Sequence, residues 1–336
     1  MSDKERNENE ESVALIEAFL QRTGRAEIED ESWFENVPPG HRSGFVAIIG
    51  RPNVGKSTLV NAFVGEKVAI VSRKPQTTRT RILGILTQPD YQVIFIDTPG
   101  IHKKHYARLN KLMVQHAVEA IPNADIILFL VDIAVPPRSE DRYTAHLLRE
   151  KARQADIIPV FNKIDLVSPE QREAHAEQYQ ALLPEAQRPA HVSALHGQNV
   201  AALLERLVMA LPQGPRYYPG DQVTDQTPFR IAAELIREAL LRHTYEELPY
   251  VTAVLVEDFE ERENGVTYIS ARIWVERETQ KPILIGQGGS MLKRIGTEAR
   301  KELERFVGGK VYLDLWVKPK PRWRDHDARL RELGYK

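Results

Sequence analysis

The apolar run Phe45-Val46-Ala47-Ile48-Ile49 leads directly into Gly50-Arg51-Pro52-Asn53-Val54-Gly55-Lys56-Ser57, and a helical pattern follows from Thr58 to Phe63. Few octapeptides restrict a fold more. Glycines at both ends demand a tight curl between a strand and a helix, and the loop then turns its backbone NH groups inward, ahead of the positive end of that helix. Such a curl cradles the phosphates of a nucleotide, and G-x-x-x-x-G-K-S is the P-loop spacing. Lys56 is placed to reach the β and γ phosphates and Ser57 to offer its hydroxyl to Mg²⁺, while Gly50, Asn53, Val54, Gly55 and Thr58 complete the cradle.

The rest of the chain agrees with that start. From residue 44 to 211, short apolar runs alternate with helical patterns, the signature of an α/β domain with a mostly parallel sheet and flanking helices. Strands are expected at 44–49, 82–87, 91–97, 125–132, 156–161 and 189–192, and helices at 56–63, 106–120, 139–154, 169–182 and 199–210. Ser168, Pro169 and Gln171 mark the start of the fourth helix as N-cap, first-turn proline and capping-box partner. Prolines and glycines at 212, 214, 215, 219, 220 and 228 break the periodicity and make 212–228 a linker. Residues 1–43 form an acidic, polar extension whose only amphipathic patch is Val13, Ile16 and Leu20 with Leu15 and Phe19.

Composition excludes some chemistry. The 336 residues contain no cysteine, which removes disulfides, thiol catalysis and cysteine-ligated zinc. The 10 histidines show no metal-ligand spacing, and His102, His105 and His116 read as surface or capping residues. The first residues are acidic where a secretory signal would be basic and then apolar, so the expected compartment is the cytoplasm. A net charge of −1 hides one local excess: from Lys281 to Arg324 there are eleven basic and four acidic residues.

The remaining motifs fall at strand ends, where ligands of parallel sheets collect. Asp97-Thr98-Pro99-Gly100 ends a strand; Asp97 is expected to hold a water of the Mg²⁺ shell and the Gly100 amide to meet the γ phosphate. Asn162-Lys163-Ile164-Asp165 ends the next but one. A carboxylate at Asp165 accepts from both N1 and the 2-amino group of guanine, which adenine cannot match. Ser193-Ala194-Leu195 suits a loop whose backbone meets the guanine carbonyl. Between the P-loop helix and Asp97 lies the polar stretch from Ser72 to Arg79, suited to ordering on a γ phosphate, with Thr78 the expected Mg²⁺ and γ-phosphate ligand and Thr77 the alternative.

These elements, worded GRPNVGKST, PQTTR, DTPG, NKID and SAL, resemble the GTPase domain of the TRAFAC class. The second domain, over 229–336, has the expected order helix, strand, strand, helix, helix, strand. Its Ile285-Gly286-Gln287-Gly288-Gly289 resembles the G-x-x-G signature of KH domains, where a loop between two helices clamps the backbone of single-stranded RNA. The pairing of a GTPase domain with an α+β type II KH domain is similar to the Era family of bacterial GTPases, over residues 44 to 334. The resemblance implies GTP and GDP as ligands, Mg²⁺ as cofactor, and a partner in the 3′ end of small-subunit ribosomal RNA, hence a role in small-subunit assembly. Asn53 matches an asparagine that coordinates K⁺ in related GTPases. The place after D-x-x-G, where Ras-like enzymes carry a water-orienting glutamine, holds Ile101, so intrinsic turnover is expected to be slow. Arg73, Arg79 and Arg81 are either a finger in cis or a solvated, RNA-facing surface.

Expected RNA contacts are Ile285 to Gly289, Lys293, Arg294, Lys318, Lys320 and Arg322, with Trp323 either stacking on a base or packing the tail onto the sheet. The rival readings are a GTPase held peripherally on the inner face of the cell membrane, an ATPase or small-molecule kinase, and a nucleotide-regulated protein scaffold. A monomer is expected.

Overall fold

The computed structural model describes residues 37–101, 107–152 and 155–335. The amphipathic patch at Val13, Ile16 and Leu20 lies outside the described residues, as do His102 and His105.

The first domain runs β1 (Arg42–Ile49), α1 (Lys56–Val64), β2 (Ile82–Thr87), β3 (Tyr91–Asp97), α2 (Arg108–Glu119), β4 (Ile126–Asp132), α3 (Ser139–Lys151), β5 (Asp156–Asn162), α4 (Pro169–Gln180), β6 (Ala190–Val192) and α5 (Val200–Ala210). The strands lie in the order β2-β3-β1-β4-β5-β6. Only β2 is antiparallel to its neighbour; the other pairings are parallel. Because helices cover both faces of a parallel sheet, its strands read as unbroken apolar runs, and β4 is buried along its whole length. Alternation still sorts the side chains. Leu128 joins Ile48, Leu59 and Phe95 on one face, whereas Phe129 joins Ile49, Ile96 and Phe161 on the other. Phe63 of α1 stacks on Phe95 with ring centroids 4.5 Å apart, seating the P-loop helix on the sheet. Ser168 caps α4 by accepting from the Gln171 amide, with Pro169 at the first helical position.

The second domain runs α6 (Pro228–His243), α7 (Leu248–Val251), β7 (Ala253–Glu261), β8 (Thr267–Val275), α8 (Gln280–Ile285), α9 (Ser290–Val307), β9 (Val311–Pro319) and α10 (Asp327–Glu332). Its sheet order is β7-β8-β9, antiparallel then parallel. The short helices α7 and α10 add to the expected order. Ile236, Leu240, Ile269, Ile273, Ile295 and Leu303 make the core between α6, α9 and the sheet. On the opposite sheet face, Trp274 is covered by Trp323, Leu330 and Tyr335 together with Leu109 and Met113 of α2, so the two domains share a cluster.

The linker is docked along the first domain. Fully buried Gln92 accepts from the amides of Tyr217 (2.7 Å) and Tyr218 (3.0 Å) and donates to the Tyr218 carbonyl (2.7 Å). The Ile85 amide donates to the Val223 carbonyl at 2.9 Å, and Leu83 exchanges bonds with Asp225 and Thr224. The linker thereby supplies partners to β2, an edge strand that would otherwise expose a free row of backbone groups.

Leu128, fully buried in β4, is a measure of this core. Leu128→Ala should cost about 2–5 kcal/mol in urea unfolding, whereas Met209→Ala, at a side chain 70% exposed, should stay within about 0.5 kcal/mol.

Candidate functional site

The P-loop closes as its glycines require. A Cβ on Gly50 would lie 2.3 Å from the Leu130 carbonyl oxygen, and Gly55, at φ 103°, sits 2.3 Å short of Asn162 Nδ2 by the same measure. Gly55 hands the chain into α1. Lys56 is buried at the start of that helix, its Nζ donating to the carbonyls of Gly50 (3.2 Å) and Arg51 (3.0 Å). Burial lowers its pKa to about 8, against the opposing pull of Asp97.

Three oxygens converge beside it. Ser57 Oγ donates to Asp97 Oδ2 at 2.6 Å and lies 2.9 Å from Thr78 Oγ1, which is itself 3.4 Å from Asp97. Asp97 is fully buried, its Oδ1 has no partner among the described residues, and burial raises its pKa to about 6 despite the Ser57 bond and the Lys56 charge. Two hydroxyls and a carboxylate suit a hard, oxygen-seeking cation such as Mg²⁺. A divalent cation would favour the charged form of Asp97, and a polyphosphate that of Lys56. Of the two threonines, Thr78 reaches this cluster; Thr77 turns its hydroxyl to the Lys74 carbonyl. Thr58 lines the same cleft, and Gly100 presses so closely on Pro52 that a Cβ would come within 2.5 Å of its backbone nitrogen. Ile101 donates its amide to the Gly50 carbonyl and buries its side chain completely in the sheet core.

Asn162 binds the loops together. Its Nδ2 donates to the Val54 carbonyl at 2.7 Å, and its Oδ1 accepts from the Ala194 amide at 2.9 Å. The Ser193 amide donates to Gln198, while Leu195 is exposed. Lys163, at φ 67°, donates to the Asn53 carbonyl (2.9 Å) and to Asp132 (2.7 Å). Asp165 follows in a short 3₁₀ turn, with His196 3.7 Å away. Asn53 adopts φ 64° and donates its side-chain amide to the Arg73 carbonyl at 2.7 Å, tying the P-loop to the polar stretch.

Sequence reasoning missed the network behind this loop. Arg51 contacts Asp141 (3.2 Å) and Asp132 (3.6 Å), and Tyr179 donates to Asp141 at 3.4 Å. Desolvation pushes the Asp141 pKa up. No spacing signal joins residues so far apart in the chain; only the sheet order does. Arg79 also departs from both sequence readings. Its side chain is neither a finger nor solvated, but fully buried against the second domain.

In the second domain, α8 passes into α9 through Gly286, Gly288 and Gly289, all at positive φ, with Gln287 and Gly288 exposed and Ile285 half-buried. Lys293 and Arg294 stand exposed one turn into α9. Between α9 and the edge strand β9 runs a cleft of about 390 Å³, floored by Gly296 and flanked by Lys293, Arg300 and Leu313. Lys318, Lys320 and Arg322 are not brought to it. Lys318 pairs with Trp274 across the β8/β9 ladder, which puts it on the sheet face opposite α9. Lys320 Nζ lies over the Trp274 ring, and Arg322 lies beside Asp325. Trp323 is fully buried and donates to the Val251 carbonyl at 2.8 Å, so of its two readings packing holds.

Residues 45–163 match the family described as 50S ribosome-binding GTPase, and residues 247–324 match the KH domain family. The chain is 49% identical over 296 residues to the GTPase Era of Thermotoga maritima, spanning 88% of this chain and 98% of that protein. It is 48% identical over 302 residues to the GTPase Era of Geobacter sp., again across 88% and 98%. A crystal structure of Era with MgGDPNP and nucleotides 1506–1542 of 16S ribosomal RNA superposes with a TM-score of 0.83 at 38% identity, covering 88% of this chain and 99% of that one. A variant of Aquifex aeolicus Era bound to GDP·AlF4⁻ gives the same TM-score and coverage at 37% identity.

The raised pKa of Asp97 has a readable consequence. A divalent cation at this cluster would need the carboxylate, and an acid raised to about 6 becomes protonated as the pH falls through that value. Mg²⁺-dependent affinity for GDP should therefore drop below pH about 6. Asp97→Asn should cost roughly 10- to 100-fold in that affinity and flatten the profile to the titration of the nucleotide itself. Isothermal titration of both proteins across pH checks this.

Proposed function

The chain belongs to the Era family of GTPases, and we propose that its GTP cycle times the docking of its KH domain on the 3′ end of small-subunit ribosomal RNA during assembly of that subunit. The observation that carries this reading is the presence in one chain, on two domains in contact, of a P-loop beside which Ser57, Thr78 and Asp97 converge and of a glycine loop that opens on a cleft flanked by Lys293 and Arg300. The relative bound to nucleotides 1506–1542 of 16S ribosomal RNA, matched over nearly its whole length, supports the choice of RNA.

In this reading the guanine N1 and 2-amino groups donate to Asp165, and Asn162 fixes the loops around the base. Lys56 contacts the β and γ phosphates, and the amide of Gly100 the γ phosphate. Ser57 and Thr78 would hold Mg²⁺ directly and Asp97 through a water, and the bound ion would supply charge neutralisation for phosphoryl transfer. Ile101 can do nothing for the attacking water, because its side chain lies in the core. Turnover is therefore slow, and a monovalent cation bound beside the P-loop would supply positive charge in the transition state. Asn53 and the carbonyl of Arg73, held together at 2.7 Å, are the groups that would bind K⁺. GTP hydrolysis should run faster in KCl than in NaCl at equal ionic strength. Equal rates would remove the K⁺ assignment and leave the GTPase intact.

The RNA strand would thread the cleft beside β9, with its backbone on the loop from Ile285 to Gly289 and its phosphates near Lys293 and Arg294. Among the described residues no helix is long and apolar enough to cross a membrane. A Lys293→Ala/Arg294→Ala variant should bind a single-stranded oligonucleotide of the ribosomal 3′ sequence more weakly. The slope of log affinity against log salt should shrink by about 0.7 for each phosphate that the variant no longer neutralises. Flotation with anionic liposomes provides the opposing measurement: binding to lipid in preference to RNA would overturn the reading.

A further inference from the structure

We infer that Arg79 and Arg237 are positioning residues for the GTPase reaction, through which the KH domain holds the peptide on both sides of Thr78 and presents that threonine to the Mg²⁺ site. The inference rests on the assignment of Thr78 as a ligand of Mg²⁺ and the γ phosphate.

The stretch before β2 is held by both domains: Asn61 of α1 bonds to the backbone of Val68 and Ala69, and the second domain grips the rest at more points. Lys67 pairs with Glu238 (2.5 Å) and Glu302 (2.8 Å), and Ile70 is part of the second domain's core. The Val71 amide donates to Glu238 at 3.0 Å, and Lys74 donates to the Leu241 and Thr244 carbonyls at the end of α6. The grip is closest around Thr78. Arg237 of α6, fully buried and held by Glu234, donates to the Thr77 carbonyl. Arg79 donates to the carbonyls of Thr252 (2.8 Å) and Pro249 (3.1 Å) and to Tyr335 Oη (3.3 Å). Its guanidinium lies 5.6 Å from the Trp323 ring centroid and 5.9 Å from that of Tyr335. Arg230 donates to Thr80 Oγ1 at 3.0 Å. Residues 77, 79 and 80 thus bond to the second domain, while Thr78 between them turns to Ser57 and Asp97.

The choice of arginine at position 79 is informative. Burying a guanidinium is costly, and packing alone is served as well or better by an apolar side chain of similar volume. Among the described residues Arg79 forms no ion pair with a carboxylate; its two terminal nitrogens donate to two carbonyls and a phenol and two ring faces lie beside it, while its buried Nε has no hydrogen-bond partner. What the charged fork adds over a hydrocarbon is direction: it fixes the backbone to two carbonyls of a neighbouring domain. A loop ordered in advance gives up less entropy when it closes on a phosphate. By linkage, whatever shifts the second domain alters affinity for GTP, and GTP acts back on it equally.

The test uses the full chain with Mg²⁺, measuring affinity for a non-hydrolysable GTP analogue and for GDP, which lacks the phosphate that Thr78 reads. Arg79→Met and Arg237→Met should each weaken the analogue roughly 10- to 100-fold and leave GDP unchanged. Arg79→Lys should recover part of the loss, and Arg79→Met added to Thr78→Ala should cost nothing further. Equal losses for both nucleotides would mean a merely structural role and overturn the inference. So would undiminished analogue affinity in both methionine variants while Thr78→Ala loses it. If Thr78→Ala itself spares the analogue, the ligand assignment falls first and the inference with it.

Discussion

Two opposite charges, Lys56 and Asp97, are buried at the carboxyl edge of one sheet without forming an ion pair, and that burial draws both pKa values toward neutrality. Protein interiors do not tolerate such groups without compensation. Here each is partly satisfied by neighbours, Lys56 by two carbonyls of its own loop and Asp97 by Ser57. The arrangement requires tight glycine turns, a helix seated by the Phe63 and Phe95 stack, and strands ending in register. A polyphosphate beside Lys56 and a divalent ion beside Asp97 would stabilise the charged form of each. The fold can be read as the means of holding a site that its own side chains only half complete.

Much of this was legible because it is local or periodic. The strands of the first sheet are runs of apolar residues bounded by turns, and they stand where that pattern puts them within a residue or two. The P-loop and the D-x-x-G carboxylate that ends β3 have fixed spacings. Buried Ile101 could be read as hydrocarbon, though not that it faces the core. Other features had no such signal. Arg79 and its basic neighbours looked like a solvated surface, since charge normally lies outside. Its burial depends on Thr252, Trp323 and Tyr335, more than 170 positions away. Trp323 in a basic tail suits stacking and packing equally until the carbonyl of Val251 is seen to take its indole NH. Lys318 and Lys320 belong to the same basic excess as Lys293, but one strand's alternation separates them by the thickness of a sheet.

Asn162 illustrates how a base-recognition motif can also be architecture. Its amide spans the P-loop and the Ser193 to Leu195 loop, and Lys163 adds a second tie through Asn53 and Asp132. Phosphate and base regions therefore share a frame, so a displacement of one is felt by the other. Behind them Arg51, Asp141 and Tyr179 extend that frame into α3 and α4.

The route of the linker alters how the two domains know of each other. A free segment of this length would wander over about 23 Å root mean square, from roughly 5–6 Å times the square root of its residue count, and would set only an effective concentration of one domain near the other. Pinned by Gln92 and β2, it acts less as a leash than as a bracket. The cleft beside β9 is then carried at a set bearing from the P-loop, so that an RNA end bound there, as proposed, would have its distance to the nucleotide already measured.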